Sequence, residues 1–422
     1  MWLLNGLDLR HQRWECHVLN RHRPGPAVRA SRSVAIPRVI VGRNLMPGLD
    51  RLINISDFER EARRRLPAPI FDVIAGGSGD EETLSRNGEA LRALRLRPRV
   101  LTDVRKRDLS TTVFGEKISL PVILAPVGYQ RMLHRHAEIA SALAAEAAGT
   151  VFVCNTISTY PLETIAETTS GPKWFQLYLP EDKTAASDLV ERVEAAGYSA
   201  LCLTVDTQVP AKRERDIRNR MTVPLRPDPR MILAALRRPR WAIDFLLGGV
   251  GRNAAQVPMS IDAAGRAIAS TTRPVTVEDF AWLRERWNGP LIVKGVMRGE
   301  DCERIIELGA DGIVVSNHGG RQLDSAQSTI EALPAIVEAL AGRAPVFIDG
   351  GFRRGTDVAK ALALGARAVL VGRPFLFGLA VGGQSGVEKV IDIFRDELDS
   401  TIGLLGYASV RDLDSDAVAP TR

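Results

Sequence analysis

Gly312-Ile313-Val314-Val315-Ser316-Asn317-His318-Gly319-Gly320-Arg321-Gln322-Leu323-Asp324 is the stretch around which the chain is organised. It opens on an unbroken apolar run with no alternation, the pattern of a strand covered on both faces, as in a parallel sheet. The run then stops, and a base, two glycines and a cation follow within six residues. His318 is the only histidine after His136. A His-Gly-Gly turn on its own reads equally well as an ordinary strand-to-helix connection with an exposed histidine.

Working outward, the same kind of run recurs at 122–125, 151–154, 174–178 and 201–206, then at 291–294, 313–316, 346–349 and 369–372. Alanine-rich amphipathic segments of helical period separate them. Eight strand-helix repeats predict an α/β fold, a (β/α)8 TIM barrel. Polar residues stand at the C-terminal ends of the runs: Gln176, Tyr178, Asp206, Lys294, His318, Asp349 and Arg373. Barrels of this kind keep their chemistry at that end. One connection is too long for a βα loop: roughly 70 residues lie between Asp206 and the helical segment at Val277. This insertion after the fourth strand, 207–275, reads as a lid-like or subunit-contact element. Its Trp, Leu and Arg content also suits peripheral contact with a membrane surface.

Residues 1–50 differ in kind. Arg10, Arg13, Arg21, Arg23, Arg29, Arg32, Arg38 and Arg43 face only Asp8 and Glu15 before Asp50. They read as a basic, disordered N-terminal extension, or as an upstream start with Met46 as the true beginning. Residues 51–422 form the barrel domain. Near residue 56 the expected helix is capped by Ser56, favoured by Asp57 and Glu59 at its positive end, and stopped by Pro67 and Pro69. The 422 residues are 45% hydrophobic and 25% charged, which suits a globular protein. The net charge of +6 is concentrated in the arm and calls for no nucleic-acid partner. The four cysteines form no CxxC pair, which argues against a disulfide framework or structural zinc and suits a reducing cytoplasm. No segment is apolar for long enough to span a bilayer.

Two glycine-arginine turns follow the last two runs: Asp349-Gly350-Gly351-Phe352-Arg353 and Gly372-Arg373-Pro374. Barrels bind phosphate between these loops, where glycines admit the backbone and arginine matches the anion. Lys294 is open to two readings, a Schiff-base amine or an ion-paired lysine. Gln176 and Tyr178 share one face of their strand by alternation. Arg213 sits in a charge run, Lys212-Arg213-Glu214-Arg215-Asp216, that is as readily a solvated surface. His134-Arg135-His136 has too few later histidines to complete a metal site, so no metal is expected.

The chain resembles the FMN-dependent 2-hydroxy-acid oxidase and dehydrogenase family, which includes glycolate oxidase, lactate dehydrogenase and mandelate dehydrogenase. Five places carry the resemblance, which runs from about Ile53 to about Gly406: Gln176-Leu177-Tyr178, Thr204-Val205-Asp206, Val293-Lys294-Gly295, Ser316 to Arg321, and Asp349-Gly350-Gly351 with Gly372-Arg373. It implies oxidation of an (S)-2-hydroxy acid to a 2-oxo acid, with His318 as base, Asp206 pairing with it and raising its pKa, and Tyr178 on the substrate. Arg321 and Arg213 would grip the substrate carboxylate. Gly351, Arg353, Gly372 and Arg373 would hold the FMN phosphate and Asp349 the ribityl chain, with Gly350 also binding the cofactor. Lys294 would lie at the N1/O2 edge of the flavin, with Gln176, Thr204, Asn155 and the segment Pro126-Val127-Gly128 also against it. The resemblance implies a homo-oligomer, a tetramer, re-oxidised by oxygen, a quinone or a carrier. Three departures bear on substrate identity: Val73 where the family has a tyrosine, Val127 where many members have threonine, and Asn155 where serine or threonine is commoner. Two other readings stay open, a Lys294 Schiff-base aldolase and an FMN-binding barrel without turnover.

Overall fold

The computed structural model describes residues 48–221, 229–248, 259–261, 267–269 and 274–420. The arm before residue 48, Met46 included, lies outside the described residues.

Eight parallel strands close into a barrel, as expected. They are β1 (Val122–Leu124), β2 (Phe152–Asn155), β3 (Lys173–Leu177), β4 (Ala200–Thr204), β5 (Leu291–Val296), β6 (Gly312–Val315), β7 (Val346–Ile348) and β8 (Ala368–Val371). The register of β8 on β1, Val369 opposite Val122 and Val371 opposite Leu124, closes the ring. Alternation along each strand divides the apolar residues between two cores. Ile123, Val153, Trp174, Cys202, Ile292, Val314, Phe347 and Leu370 fill the barrel interior, one from each strand. Their neighbours, such as Leu124, Leu201, Val293 and Val315, pack outward under the helices.

A hairpin, Thr111–Val113 with Glu116–Ile118, carries Phe114 at its turn. Phe114 packs against Trp174 at 5.7 Å and Phe347 at 5.8 Å between ring centroids. These rings plug one end of the barrel, so the ligand-sized space is left at the C-terminal ends of the strands.

The helix before the barrel spans Ile55–Arg65, and here the structure corrects the sequence reading. Its cap is Asn54, whose side chain accepts from Asp57 N at 2.9 Å, and Ser56 lies inside the first turn. Pro67 and Pro69 end this helix and also begin the next, Ala68–Ala75, where proline costs no helical hydrogen bond. The insertion after β4 contains helices Glu214–Arg218, Pro229–Leu236 and Pro239–Leu247. Trp241 roots it to the barrel: its indole N–H donates to the Met132 carbonyl at 2.8 Å. Ile232, Leu233, Leu236, Ile243, Leu246 and Leu247 are exposed on helices Pro229–Leu236 and Pro239–Leu247.

Candidate active site

The loop after β6 turns through left-handed backbone at His318, Gly319 and Gly320, with φ of 57°, 62° and 75°. A side chain at Gly320 would stand 2.6 Å from the Leu84 backbone nitrogen, so only glycine fits. Asp324 then accepts from the backbone N–H of Asp80 and Thr83, capping the helix Glu82–Ala93 from a distant loop. Asn317 and Asn87 exchange side-chain amide bonds at 2.8 and 3.0 Å. Together these contacts hold His318 rigidly over the barrel mouth.

His318 Nδ1 lies 3.0 Å from Asp206 Oδ1 at the end of β4. Asp206 is placed in turn by Gln322, whose amide donates to its backbone carbonyl at 2.8 Å. With Nδ1 committed to the carboxylate, Nε2 is the nitrogen left to take a proton from a ligand. Burial lowers the His318 pKa below the usual 6.5; Asp206 offsets this in part, while Lys294 and Arg213 add to it. Asp206 thus raises the pKa as the sequence suggests, but burial is the larger cause. The resting imidazole is neutral at neutral pH, as a base must be. Burial would raise Asp206, yet His318 and then Lys294 hold it below the usual carboxylate value.

Lys294 Nζ donates to Ser316 Oγ at 2.7 Å, and Ser316 donates to Asp349 Oδ2 at 2.9 Å. Lys294 also pairs directly with Asp349 at 3.0 Å. Burial opposes the charge on Lys294, but Asp349 and Asp206 outweigh it and raise the pKa. A Schiff-base lysine needs a depressed pKa and a free amine. The aldolase reading therefore falls.

The cavity above β1, β7 and β8 is lined by backbone-rich turns: Pro126, Val127 and Gly128, then Gly350 and Gly351, then Gly372. Among the described residues, Arg213, Lys294, Arg321, Arg353 and Arg373 line it against a single carboxylate, Asp349. The partners these arginines find are neutral carbonyls. Arg373 donates to Ile74, Gly319 and Gly76 at 2.9, 2.9 and 2.8 Å; Arg321 donates to Val73 and Gly76 at 2.7 and 3.0 Å. Arg353 donates to the carbonyl of Phe352 at 2.9 Å. Burial, then mutual repulsion, lowers Arg373 well below its ordinary value and Arg321 to about 10. Buried cations in this excess fit a ligand that brings negative charge.

Two orphaned polar atoms point the same way. Asp349 Oδ1 and Asn155 Nδ2 are buried with no hydrogen-bond partner among the described residues. Asn155 is beside the cavity, since a Cβ built on Gly128 would be 3.2 Å from its Oδ1. That Cβ would also strike Ile157 at 2.4 Å, so Gly128 keeps this wall thin. An unpaired acceptor, an unpaired donor and a cationic end fit a polyhydroxylated, carbonyl-bearing phosphate ester such as FMN.

Not every residue expected at the site faces the cavity. Gln176 donates to Thr204 Oγ1 at 2.9 Å, and both are buried at the strand ends without lining it. Tyr178 does line it, and burial followed by Asp206 raises its pKa to about 12, so it stays a protonated donor. Arg213 also faces the cavity rather than solvent, its Nε donating to the Arg321 carbonyl at 3.4 Å. Ser316, Gln322, Asn87 and Tyr129 were missed as site residues. Ser316 and Gln322 lie in the stretch around His318, but their contacts, like the positions of Asn87 and Tyr129, depend on convergence of distant segments.

Fold and site together define an FMN-dependent oxidoreductase of 2-hydroxy acids. The chain belongs to the FMN-dependent dehydrogenase family, whose model matches residues 62–420. It is 43% identical over 374 residues to L-lactate oxidase of Nostoc sp., covering 88% of this chain and 99% of the relative. It is 41% identical over 368 residues to glycolate oxidase of Spinacia oleracea, covering 87% and 96%. Among solved structures, that of the monotopic membrane protein (S)-mandelate dehydrogenase matches with a TM-score of 0.82 and 36% identity, over 87% of this chain and 99% of the other.

Proposed function

We propose that the enzyme oxidises (S)-2-hydroxy acids with bulky apolar side chains to 2-oxo acids, with His318 as the base. The observation that carries this reading is His318, held by Asp206 at 3.0 Å and lining a cavity whose wall is cationic. Arg321 and Arg213 bind the substrate carboxylate, and Tyr178 donates to the substrate from the β3 end. His318 Nε2 takes the hydroxyl proton, and Asp206 stabilises the imidazolium that forms. FMN, when bound, supplies the two-electron acceptor. Arg353 and Arg373 with Gly350, Gly351 and Gly372 would hold its phosphate, and Asp349 its hydroxyls. Lys294 would set a cation beside the ring, where it favours the reduced form. Asn155 and the Pro126 to Gly128 segment would also help to hold the cofactor, with Gln176 and Thr204 at the strand ends.

The side-chain preference rests on Val73, Ile157, Val209 and Pro210, which line the cavity with apolar surface. Each Å² of substrate surface buried there contributes about 25 cal/mol, from which glycolate gains nothing. Competing substrates should therefore show a higher kcat/KM for aryl or long aliphatic 2-hydroxy acids than for glycolate, and Val73→Tyr should shift preference toward small ones. An enzyme that prefers glycolate to every larger acid would overturn the apolar-pocket reading.

On organisation, the reading is a 51–422 catalytic barrel preceded by a basic extension, with 207–275 a lid-like insertion. Support comes from Val209, Pro210 and Arg213, which reach the cavity from the start of the insertion. The setting proposed is cytoplasmic, as a homo-oligomer, with peripheral membrane contact through the exposed Ile232, Leu236, Ile243 and Leu246 face. The likeness to the monotopic membrane protein (S)-mandelate dehydrogenase supports that last point. No helix among the described residues is long and apolar enough to cross a membrane.

A further inference from the structure

We propose that Tyr129 is a substrate-binding residue whose phenolic hydroxyl donates to the carboxylate of the bound acid, supplying from the loop after β1 the hydrogen bond that Val73 cannot make. The inference rests on the 2-hydroxy-acid reading above.

Four observations carry it. Tyr129 lines the cavity together with Val73, Tyr178, Arg213 and Arg321. Its hydroxyl is buried and has no hydrogen-bond partner among the described residues. A buried, unpaired hydroxyl is costly, and native structures keep one where a ligand completes it. The residue sits in left-handed backbone, φ 59°, a conformation that aromatic residues seldom adopt. Such backbone persists where the surroundings over-determine it.

The fourth observation is how firmly the loop is pinned. Gln130, fully buried, donates to the Val127 carbonyl at 3.0 Å and accepts from Ser141 Oγ at 2.7 Å. Met132 N donates back to the Tyr129 carbonyl at 3.0 Å. The ring is therefore presented by a fixed turn and not by a swinging loop.

The surroundings select the ligand's chemistry. Burial raises the Tyr129 pKa, Tyr178 adds to this, and Arg213 and Arg321 oppose it. The phenol therefore stays protonated, a donor among donors and cations. What completes it is an acceptor with negative charge. Val73, on the same cavity, carries no polar side-chain atom. The wall at Val73 is thus apolar, and the unpaired donor stands on a different element.

The test uses FMN-loaded wild type and Tyr129→Phe, each titrated with the 2-oxo acid product and with the matching 2-oxo amide, followed by perturbation of flavin absorbance. No turnover is needed. Loss of one charge-assisted hydrogen bond should weaken binding of the acid on the order of ten-fold or more. Binding of the amide should stay within about two-fold, since it lacks the negative acceptor. In steady state KM should rise by a similar factor with kcat little changed. Equal weakening of acid and amide would make Tyr129 a packing residue and overturn the proposal. Unchanged binding of both would overturn it as well. Failure of every 2-hydroxy acid to reduce wild-type flavin would overturn the reading beneath it, a result separate from either titration outcome.

Discussion

His318→Ala should retain FMN and turn over about 10²–10⁴-fold more slowly than the wild type, the usual cost of a missing general base. Arg321→Ala should behave differently, keeping much of kcat while binding substrate more weakly by roughly 1.5–3 kcal/mol, the value of a hydrogen bond to a charged group. Rapid-reaction and steady-state kinetics separate the two. Equal and small effects from both variants would contradict the division of roles. The pH profile supplies an independent check. The base works only when neutral, and burial places its pKa below 6.5. Hence kcat/KM should be flat at neutral pH and fall as pH drops through a limb below 6.5. Asp206→Asn removes a charge that raises that pKa, so it should move the limb to lower pH. It should also lower kcat, because the imidazolium loses its counter-charge. A limb that moves upward in this variant would show that Asp206 does not act on His318 as the geometry indicates.

Arg373→Glu should lose FMN. The substitution removes three hydrogen bonds that tie the β8 turn to Ile74, Gly76 and Gly319. It also sets an anion at the proposed phosphate site, beside Arg321 and Arg353. Each charge-assisted bond lost costs about 1.5–3 kcal/mol, so a weakening of about 10²-fold or more is expected. Absorbance at the flavin band relative to protein, with thermal unfolding as the control for folding, reads the result. A folded variant that keeps one FMN per chain would show that the phosphate lies elsewhere.

The barrel was legible because parallel strands buried on both faces leave unbroken apolar runs. All eight were found, with ends displaced by a residue or two, as at Ala125 and Gly372, which lie just beyond β1 and β8. Local end chemistry was less legible. Ser56 and Asn54 are both good caps, and the choice between them is a matter of helix register that tertiary packing decides. Within the site, residues at strand ends were readable because barrel topology brings strand ends together. Their environments were not. The carboxylate partner of His318 was named, but the direction of its pKa depends on burial, which is a property of the closed mouth. Lys294 looked like either an amine nucleophile or a buried ion; Ser316 and Asp349 decide that, and neither contact has a sequence spacing. Tyr129 was invisible for the same reason. It is three residues past Pro126 in a loop with no motif, and it acquires meaning only beside Val73 and the two arginines.

This barrel oxidises 2-hydroxy acids at bound FMN. Anaerobic mixing of the yellow enzyme with a panel of (S)-2-hydroxy acids, from glycolate to aryl and long aliphatic members, tests it most directly. The flavin band should bleach in a single turnover with at least one acid, fastest with those bearing bulky apolar side chains, and the matching 2-oxo acid should accumulate in equal amount. An FMN-loaded enzyme whose flavin no 2-hydroxy acid in the panel reduces would contradict the account.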